Sequence, residues 1–460
     1  MSEEPLVQSP ELETEALPLP APNAPEPLSM GAVLRVVTMR RLWYAQIVSV
    51  FGDFLALFAV ITVMTFKLHA TPQQVTGIQI AYLLPIALLG IVSGVFVDRW
   101  PVKITLVSSD YIRAGLCLLL LLVHNVYGFY AVLAAISIFS SFFSPAQGIA
   151  IRSAVPMHGL RSANSLMQQV MFIMRIIGGP TATFIVTRFH EQTCYILDSV
   201  SFLASGTLIA SLAIILPPKS AVVQQVEGKS AVVTTSEKTQ KTGLARIFED
   251  MKEGTSFIFH HAALLFVILA LAAGMFVMGC FGPLIAIFVR DTLRASTNTF
   301  GFASASIGLG LFVGIAIINA VAKRLKNTSL VYFGLGGIAV GTLLMAVAPH
   351  IVFHLGRHAV AIDVLLTILG CFTIGFSCGG IIIPSQTMIQ QETPPAMLGR
   401  VGSTVMSLVF SAQIAGLILS GILANHTSVR RVFAICTAML AVLIVAGKLW
   451  MEPKEHAAVA

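Results

Sequence analysis

Charge is what this 460-residue sequence has least of: only 11% of it is Asp, Glu, Lys or Arg, where soluble domains carry about a quarter. With 56% hydrophobic residues and a mean hydropathy of +0.87, the chain is too apolar for a water-soluble fold and reads as an integral membrane protein. Strict apolar–polar alternation is missing, which excludes a membrane β-barrel. No GxxxxGK[ST] loop is present, so nothing in the chain is built to cradle nucleotide phosphates. The six cysteines, Cys117, Cys194, Cys280, Cys371, Cys378 and Cys436, form no CxxC pair and have no His-rich neighbourhood; they read as small core residues, not as metal ligands. His260 and His261 stand at a helix entrance without a third ligand at metal spacing. Loops without a nucleophile–base motif leave an enzyme reading unsupported.

What is abundant is long apolar runs. A bilayer core takes roughly 20 residues per helix, and the sequence divides into twelve such spans at 42–66, 75–97, 104–126, 129–151, 163–187, 193–216, 264–289, 300–322, 329–348, 359–383, 401–424 and 429–450. Residues 1–40 carry Glu3, Glu4, Glu11, Glu13, Glu15 and Glu26 among many prolines. They lack the basic and apolar regions of a signal peptide and read as a disordered acidic tail. A linker over 217–262 repeats KSAVV at 219 and 229 and separates two six-helix bundles, 41–216 and 263–451, with a short tail at 452–460. Within it, Leu244, Ile247, Phe248 and Met251 fall at i, i+3, i+4, i+7, which predicts an amphipathic helix on the membrane surface.

Lys and Arg orient the chain. With the N-terminus inside, 19 of the 28 fall in cytoplasmic segments, 7 in external ones, and Arg113 and Arg175 within spans. That asymmetry places both termini in the cytoplasm. The net charge of +7 is then accounted for by basic loops facing anionic lipids, and no nucleic-acid partner is needed.

The halves repeat each other. A shift of 239 residues aligns SPAQGIAIRSAVPMHGLRSANSLM (144–167) with IPSQTMIQQETPPAMLGRVGSTVM (383–406), matching Pro145 with Pro384, Gln147 with Gln386, Pro156 with Pro395, Arg161 with Arg400 and Met167 with Met406. A shift of 224 pairs Gly77 with Gly301 and Gly90 with Gly314, and one residue further Asp98-Arg99 meets Lys323-Arg324. Two parallel repeats predict a pseudo-twofold along the membrane normal and a substrate site between the halves near the midplane.

The stretch GVFVDRWPVK (94–103) follows predicted span 2 with an acid and two bases. Gly94, Asp98, Arg99 and Lys103 resemble the loop 2–3 signature of the major facilitator superfamily, departing from it at Pro101 and Val102. Further stretches resemble its proton-coupled drug and siderophore exporter branch, which contains macrolide and enterobactin exporters: FGD at 51–53, DYIRA at 110–114, SPA at 144–146, SAN at 162–164, GGP at 178–180, LDSVSFL at 197–203, EDMKEG at 249–254 and GRV at 399–401. The resemblance covers nearly everything after residue 40. It implies an all-α membrane protein of twelve helices working by alternating access.

Several residues are candidates for that work. Asp98 ends span 2 where the other half starts span 11 near Arg400, and an acid facing the amides of a helix N-terminus is stabilised there; the pair is expected to latch the halves shut on the cytoplasmic side. Asp110 and Arg113, three apart on one helical face, are expected to brace the same latch. Asp53 and Arg175 each lie roughly 16 to 18 Å into their spans at 1.5 Å per residue, deep enough that each needs a partner or a wet cavity. They are expected to form a conformation-dependent pair with Asp53 as proton carrier. Asp198 and Asp363 lie nearer predicted external helix ends and are expected to be solvated. Gly178, Gly179 and Pro180 are expected to form a tight packing seam or bend; in the resembling family this motif limits leak.

The expected function is export of an amphipathic or apolar small molecule by proton antiport across a bacterial inner membrane. No cofactor beyond the proton gradient is expected, and the partners are the small-molecule substrate and membrane lipids, with a monomer as the working unit. An uptake carrier or a lysolipid or lipid transporter of the same fold remains open. A non-transporting membrane sensor would need a foldable soluble domain, and neither tail nor linker supplies one.

Overall fold

The structure is a computed structural model; its described residues are 28–97, 99–212, 255–259, 261–321, 325–348, 352–355, 358–394 and 397–450. Twelve long helices dominate them: α1 (Val37–Thr62), α2 (Pro72–Val97), α3 (Val102–Leu119), α4 (Val126–Ala154), α5 (Leu160–Phe189), α6 (Glu191–Ala210), α7 (Ala262–Ile287), α8 (Thr297–Val321), α9 (Asn327–Val347), α10 (Ile362–Glu392), α11 (Leu398–His426) and α12 (Val429–Trp450). A short helix at Met30–Arg35 precedes α1, capped by Ser29 through a hydrogen bond from the Ala32 amide. Eleven of the long helices are apolar and long enough to span a bilayer by those criteria; α2, with 26 residues and Pro85 inside it, is the twelfth. Several of these helices, α2, α7 and α9 among them, carry little amphipathic bias because lipid on one side and protein on the other are both apolar.

The predicted spans are recovered with shifted ends. α6 stops at Ala210, short of the predicted 216, and α10 begins at Ile362, not 359. The residues before α10 form a small antiparallel hairpin, β1 (Val352–Leu355) with β2 (His358–Ala361), pairing Val352 with Ala361 and Leu355 with His358. The amphipathic helix predicted at 244–251 lies outside the described residues.

Each half is built the same way. In the first, α1 packs on α5 and α6, α2 on α4, and α3 on α4 and α6; in the second, α7 packs on α11, α8 on α10, and α9 on α10 and α12. The halves meet through α2 against α11 and α5 against α8, helix pairs that a twofold axis along the bundle exchanges. Backbone detail obeys the same symmetry. α1 ends in a π-helical turn at Val63–Lys67 and α7 in one at Phe288–Thr292, closed by Ala70 N to Met64 O at 2.9 Å and Ala295 N to Val289 O at 3.0 Å. His69 and Arg294, at φ 46° and 51°, both enter the left-handed region that non-glycine residues seldom occupy. This register is 225, so Thr76, not Gly77, is the repeat-mate of Gly301, one residue from the pairing expected at a shift of 224.

Candidate translocation pathway

The loop-1 face is the end of the bundle carrying residues 68–71 and 293–296; the linker face is the opposite end. Near the loop-1 face the halves interlock. A Cβ placed on Gly421 of α11 would lie 2.1 Å from Thr76 Oγ1 of α2, and one on Gly301 of α8 would lie 2.8 Å from Thr183 Oγ1 of α5. These are symmetry-related contacts with the glycine and threonine exchanged between halves. Both sites demand glycine because the facing helix occupies the space a side chain would need. Arg290, at the end of α7, donates through Nη1 to the carbonyls of Thr65 at 2.7 Å and Ala70 at 3.0 Å. Its other nitrogens bind Asp291, Nε to Oδ1 at 2.5 Å and Nη2 to Oδ2 at 2.7 Å. A cation from one half thus satisfies orphan carbonyls at a helix C-terminus of the other. Phe300 of α8 joins the seam against Phe58 and Phe66, with centroids 5.8 and 6.5 Å away.

Inside the first half lies a cluster of buried ionisable side chains. Asp110, Arg113 and Cys117 project from one face of α3 at i, i+3, i+7, toward Asp198, Ser201 and Ser205 on a matching face of α6. Arg113 pairs with Asp110, and their side chains are only 5% and 0% exposed. Arg113 also donates from Nε to the Ser109 carbonyl at 3.3 Å. Its guanidinium is sandwiched by Phe143 and Phe202, 4.6 and 4.2 Å from the ring centroids, which adds cation–π attraction where water is scarce. Ser205 Oγ donates to Asp110 Oδ2 at 2.7 Å. Cys117 Sγ donates to Asp198 Oδ2 at 3.0 Å and Ser201 Oγ to Asp198 Oδ1 at 3.3 Å.

α1 closes this cluster. A Cβ on Gly52 would meet Ser201 Oγ at 2.1 Å and Asp198 Oδ1 at 2.4 Å, so glycine at 52 lets the Asp198 carboxylate press against the backbone beside Asp53. Asp53 is half-buried, and its electrostatic partners are Arg113 and Asp110, together with Asp198 and Tyr82. Three carboxylates therefore gather around one guanidinium in a low-dielectric bundle, where a second, unpaired charge is costly.

Three expectations change. Asp53 faces Arg113 within its own half, and the structure does not bring it to Arg175; the two share a depth but leave their helices toward different neighbours. Asp110 and Arg113, expected to brace the latch network, are core residues of the first half, bound to α6 and facing Asp53. Asp198 is not solvated: it is 1% exposed and twice hydrogen-bonded, and Asp363 at the start of α10 is likewise buried. Asp198 lies well inside α6, covered by α3 and α1, which distance from a predicted terminus does not reveal.

Arg175, midway along α5, is exposed, and the group it senses electrostatically is Cys378 on α10 of the other half. It therefore lines the space between the halves. Gly178 and Gly179 follow it at the crossing of three helices: a Cβ on Gly178 would lie 2.6 Å from Phe54 Cβ of α1, and one on Gly179 would lie 3.0 Å from Ser304 Cβ of α8. Pro180 sits inside α5, which runs through it without a break. Gly94 lies within α2 near its linker-face end, Arg99 is exposed in the turn after it, Lys103 is half-buried in the first turn of α3, and Arg400 is half-buried in the first turn of α11. Asp98 is outside the described residues.

Two repeated six-helix bundles joined through α2–α11 and α5–α8 have the architecture of a membrane transporter built from parallel repeats. The sequence model of the Major Facilitator Superfamily matches residues 42–416, and the chain belongs to that family. It is similar to the uncharacterized MFS-type transporter YfiS of Bacillus subtilis (strain 168), 26% identical over 415 residues that cover 90% of this chain and 93% of the relative. It is also similar to macrolide efflux protein A of Streptococcus pyogenes, 21% identical over 404 residues covering 87% and 92% of the two. Among solved structures, the nucleoside transporter NupG shares the fold with a TM-score of 0.65 at 15% identity, over 90% of this chain and 99% of that one. A bacterial homologue of the lysosomal transporter Spinster, solved inward-facing and unoccupied, gives 0.62 at 11% identity, over 90% and 95%.

Proposed function

We propose that this transporter exports amphipathic or largely apolar small molecules across the bacterial cell membrane in exchange for protons, with both termini cytoplasmic, acting as a monomer and needing no cofactor. The observation that carries the reading is Asp53: a half-buried carboxylate at mid-membrane, on a helix that reaches both the space between the halves and the Arg113 cluster. An acid whose electrostatic surroundings change as the halves rock is able to take a proton in one state and release it in the other. Asp198 and Arg113 set those surroundings here, in place of Arg175. The similarity to a macrolide efflux protein supports the outward direction, as do the exporter-like stretches of the first half. With the linker face cytoplasmic, the clasp at Thr76, Thr183 and Arg290 closes the external side. Asp98 and Arg400 then serve the opposite gate, latching the cytoplasmic side in the outward-open state. Proteoliposomes with an imposed pH gradient test the proposal: wild type should move a macrolide or a lipophilic dye uphill toward the acidic compartment. Transport indifferent to collapse of the gradient removes proton coupling.

A further inference from the structure

Arg175 poses a problem that the proton site leaves unsolved. A guanidinium keeps its charge throughout the accessible pH range, and at mid-membrane it needs a counter-charge or a wet cavity. Asp53, Asp110 and Asp198 are all turned to Arg113. Among the described residues Arg175 makes no hydrogen bond and no ion pair, and its electrostatic neighbour is the Cys378 thiol across the gap. It is surrounded by protein from both halves, yet its side chain is open to solvent-sized space.

The surroundings of that charge are apolar with few polar groups. Met171 stands one turn below it on α5, and Phe54 and Phe58 of α1 press on Gly178 and Gly179 one turn above. Gln46 and Gln147 satisfy each other, Gln147 Nε2 donating to Gln46 Oε1 at 2.6 Å, so they offer no strong claim on the guanidinium. Nearer the linker face, α4 and α5 enclose an open cleft of about 370 Å³ lined by Pro145, Ile149, Arg152 and Asn164. Arg152 is exposed there, a second cation on the same two helices. A guanidinium without a protein counter-charge, exposed between the halves beside apolar side chains, selects a molecule that brings an apolar body and an acid group.

We propose that Arg175 is a head-group site in the space between the halves, and that the ligand is an amphipathic anion whose carboxylate, sulfonate or phosphate pairs with the guanidinium. The inference rests on the transporter reading above and narrows its substrate class. The anion replaces the missing counter-charge, so binding removes the cost of an isolated arginine as well as burying apolar surface. A neutral analogue of the same shape gains only the second.

The test is equilibrium binding without any gradient, on the full chain in phosphatidylcholine nanodiscs, with empty nanodiscs subtracted. The probe is 11-(dansylamino)undecanoic acid, compared with its methyl ester. Wild type should bind the acid at least about tenfold tighter than the ester. Arg175→Gln should abolish that preference, and Arg175→Lys should keep part of it. Cys378→Asp leaves Arg175 in place but supplies a protein counter-charge, and it too should remove the preference, which covers the case in which Arg175→Gln does not fold. Equal affinity of wild type for acid and ester, or a preference that survives both Arg175→Gln and Cys378→Asp, overturns the proposal. Adding phosphatidylglycerol distinguishes the source of the anion: competition with the probe assigns the site to a lipid head group, and no competition to a soluble amphiphile, with the site standing in both cases. A preserved acid preference alongside transport that ignores the pH gradient would refute proton coupling and leave this site intact.

Discussion

Arg290 reaches from the end of α7 to the Thr65 carbonyl, 2.7 Å away at the end of α1, and so ties the two halves together at the loop-1 face. Its repeat-mate is Thr65 itself, so the clamp exists once and not twice. A charge-assisted hydrogen bond is worth about 1.5 to 3 kcal/mol, enough to move a balanced two-state equilibrium by tenfold or more. Arg290→Ala should therefore shift the transporter toward the state open at the loop-1 face. Spin labels at the exposed positions Thr71 and Ser296 should report a longer inter-half distance; an unaltered distribution would show that the clamp carries no gating energy.

The charged cluster of the first half predicts an unequal cost for two basic residues. Arg113→Ala strands three carboxylates in the bundle interior, and breaking a buried pair from one side costs about 3 to 5 kcal/mol. Lys67 also makes an ion pair, with Glu191 at 2.5 Å, but its side chain is 53% exposed, and such pairs contribute little. Thermal unfolding in detergent should show a large loss for Arg113→Ala and a change of a degree or two for Lys67→Ala. Equal losses would contradict the burial ranking.

Asp53→Asn should leave the fold and ligand binding in place and abolish uphill transport, because the amide imitates the protonated acid and cannot cycle. If proteoliposomes of Asp53→Asn still concentrate substrate under a pH gradient as wild type does, the carboxylate is structural.

Asp98→Asn addresses the opposite gate. An acid stands at 98 where the other half has a base, and facing the amides at the start of α11 it would hold the linker face shut. Its loss should enlarge the population open at that face, read as a longer distance between labels on the 2–3 and 10–11 loops; wild-type distances with wild-type transport would discard the latch.

How far the sequence alone reaches follows from what each feature depends on. Helix positions were legible because lipid imposes a length and an apolar composition on every span. The repeat was legible through Pro145 and Pro384, which stand inside α4 and α10 at equivalent places. Asp53 and Arg175 were recognisable as costly charges, but their partners were not, since partner choice depends on the rotation of each helix about its axis. One signal for the true cluster was available: Asp110, Arg113 and Cys117 share a spacing with Asp198, Ser201 and Ser205, and two polar faces of matching period in one half belong together. Arg290 gave no such hint of its clamp, because what it binds across the halves is backbone, and a carbonyl at a helix end carries no side-chain signature.

The interlock at Thr76 and Gly421 yields the sharpest prediction of the gate. The space beside Gly421 is filled by Thr76 Oγ1 at 2.1 Å and Thr76 Cβ at 3.1 Å from where a methyl would stand. Gly421→Ala must therefore push α11 away from α2, while the hydroxyl is the part of threonine that conflicts most. Thr76→Ala removes that hydroxyl and leaves a Cβ that needs to yield by only a few tenths of an ångström. Gly421→Ala alone should open the loop-1 face and slow the return of the proton-loaded carrier, and adding Thr76→Ala should restore closure, giving a coupling between the two sites well beyond the few tenths of a kcal/mol expected of independent ones. At Gly301 the Thr183 Cβ itself lies 2.8 Å from where the methyl would stand, so Thr183→Ala should restore closure there only in part. Label distances across the loop-1 face for the four single and two double variants decide the matter: strictly additive effects would mean that the glycines are tolerated small residues and that the gate closes without them.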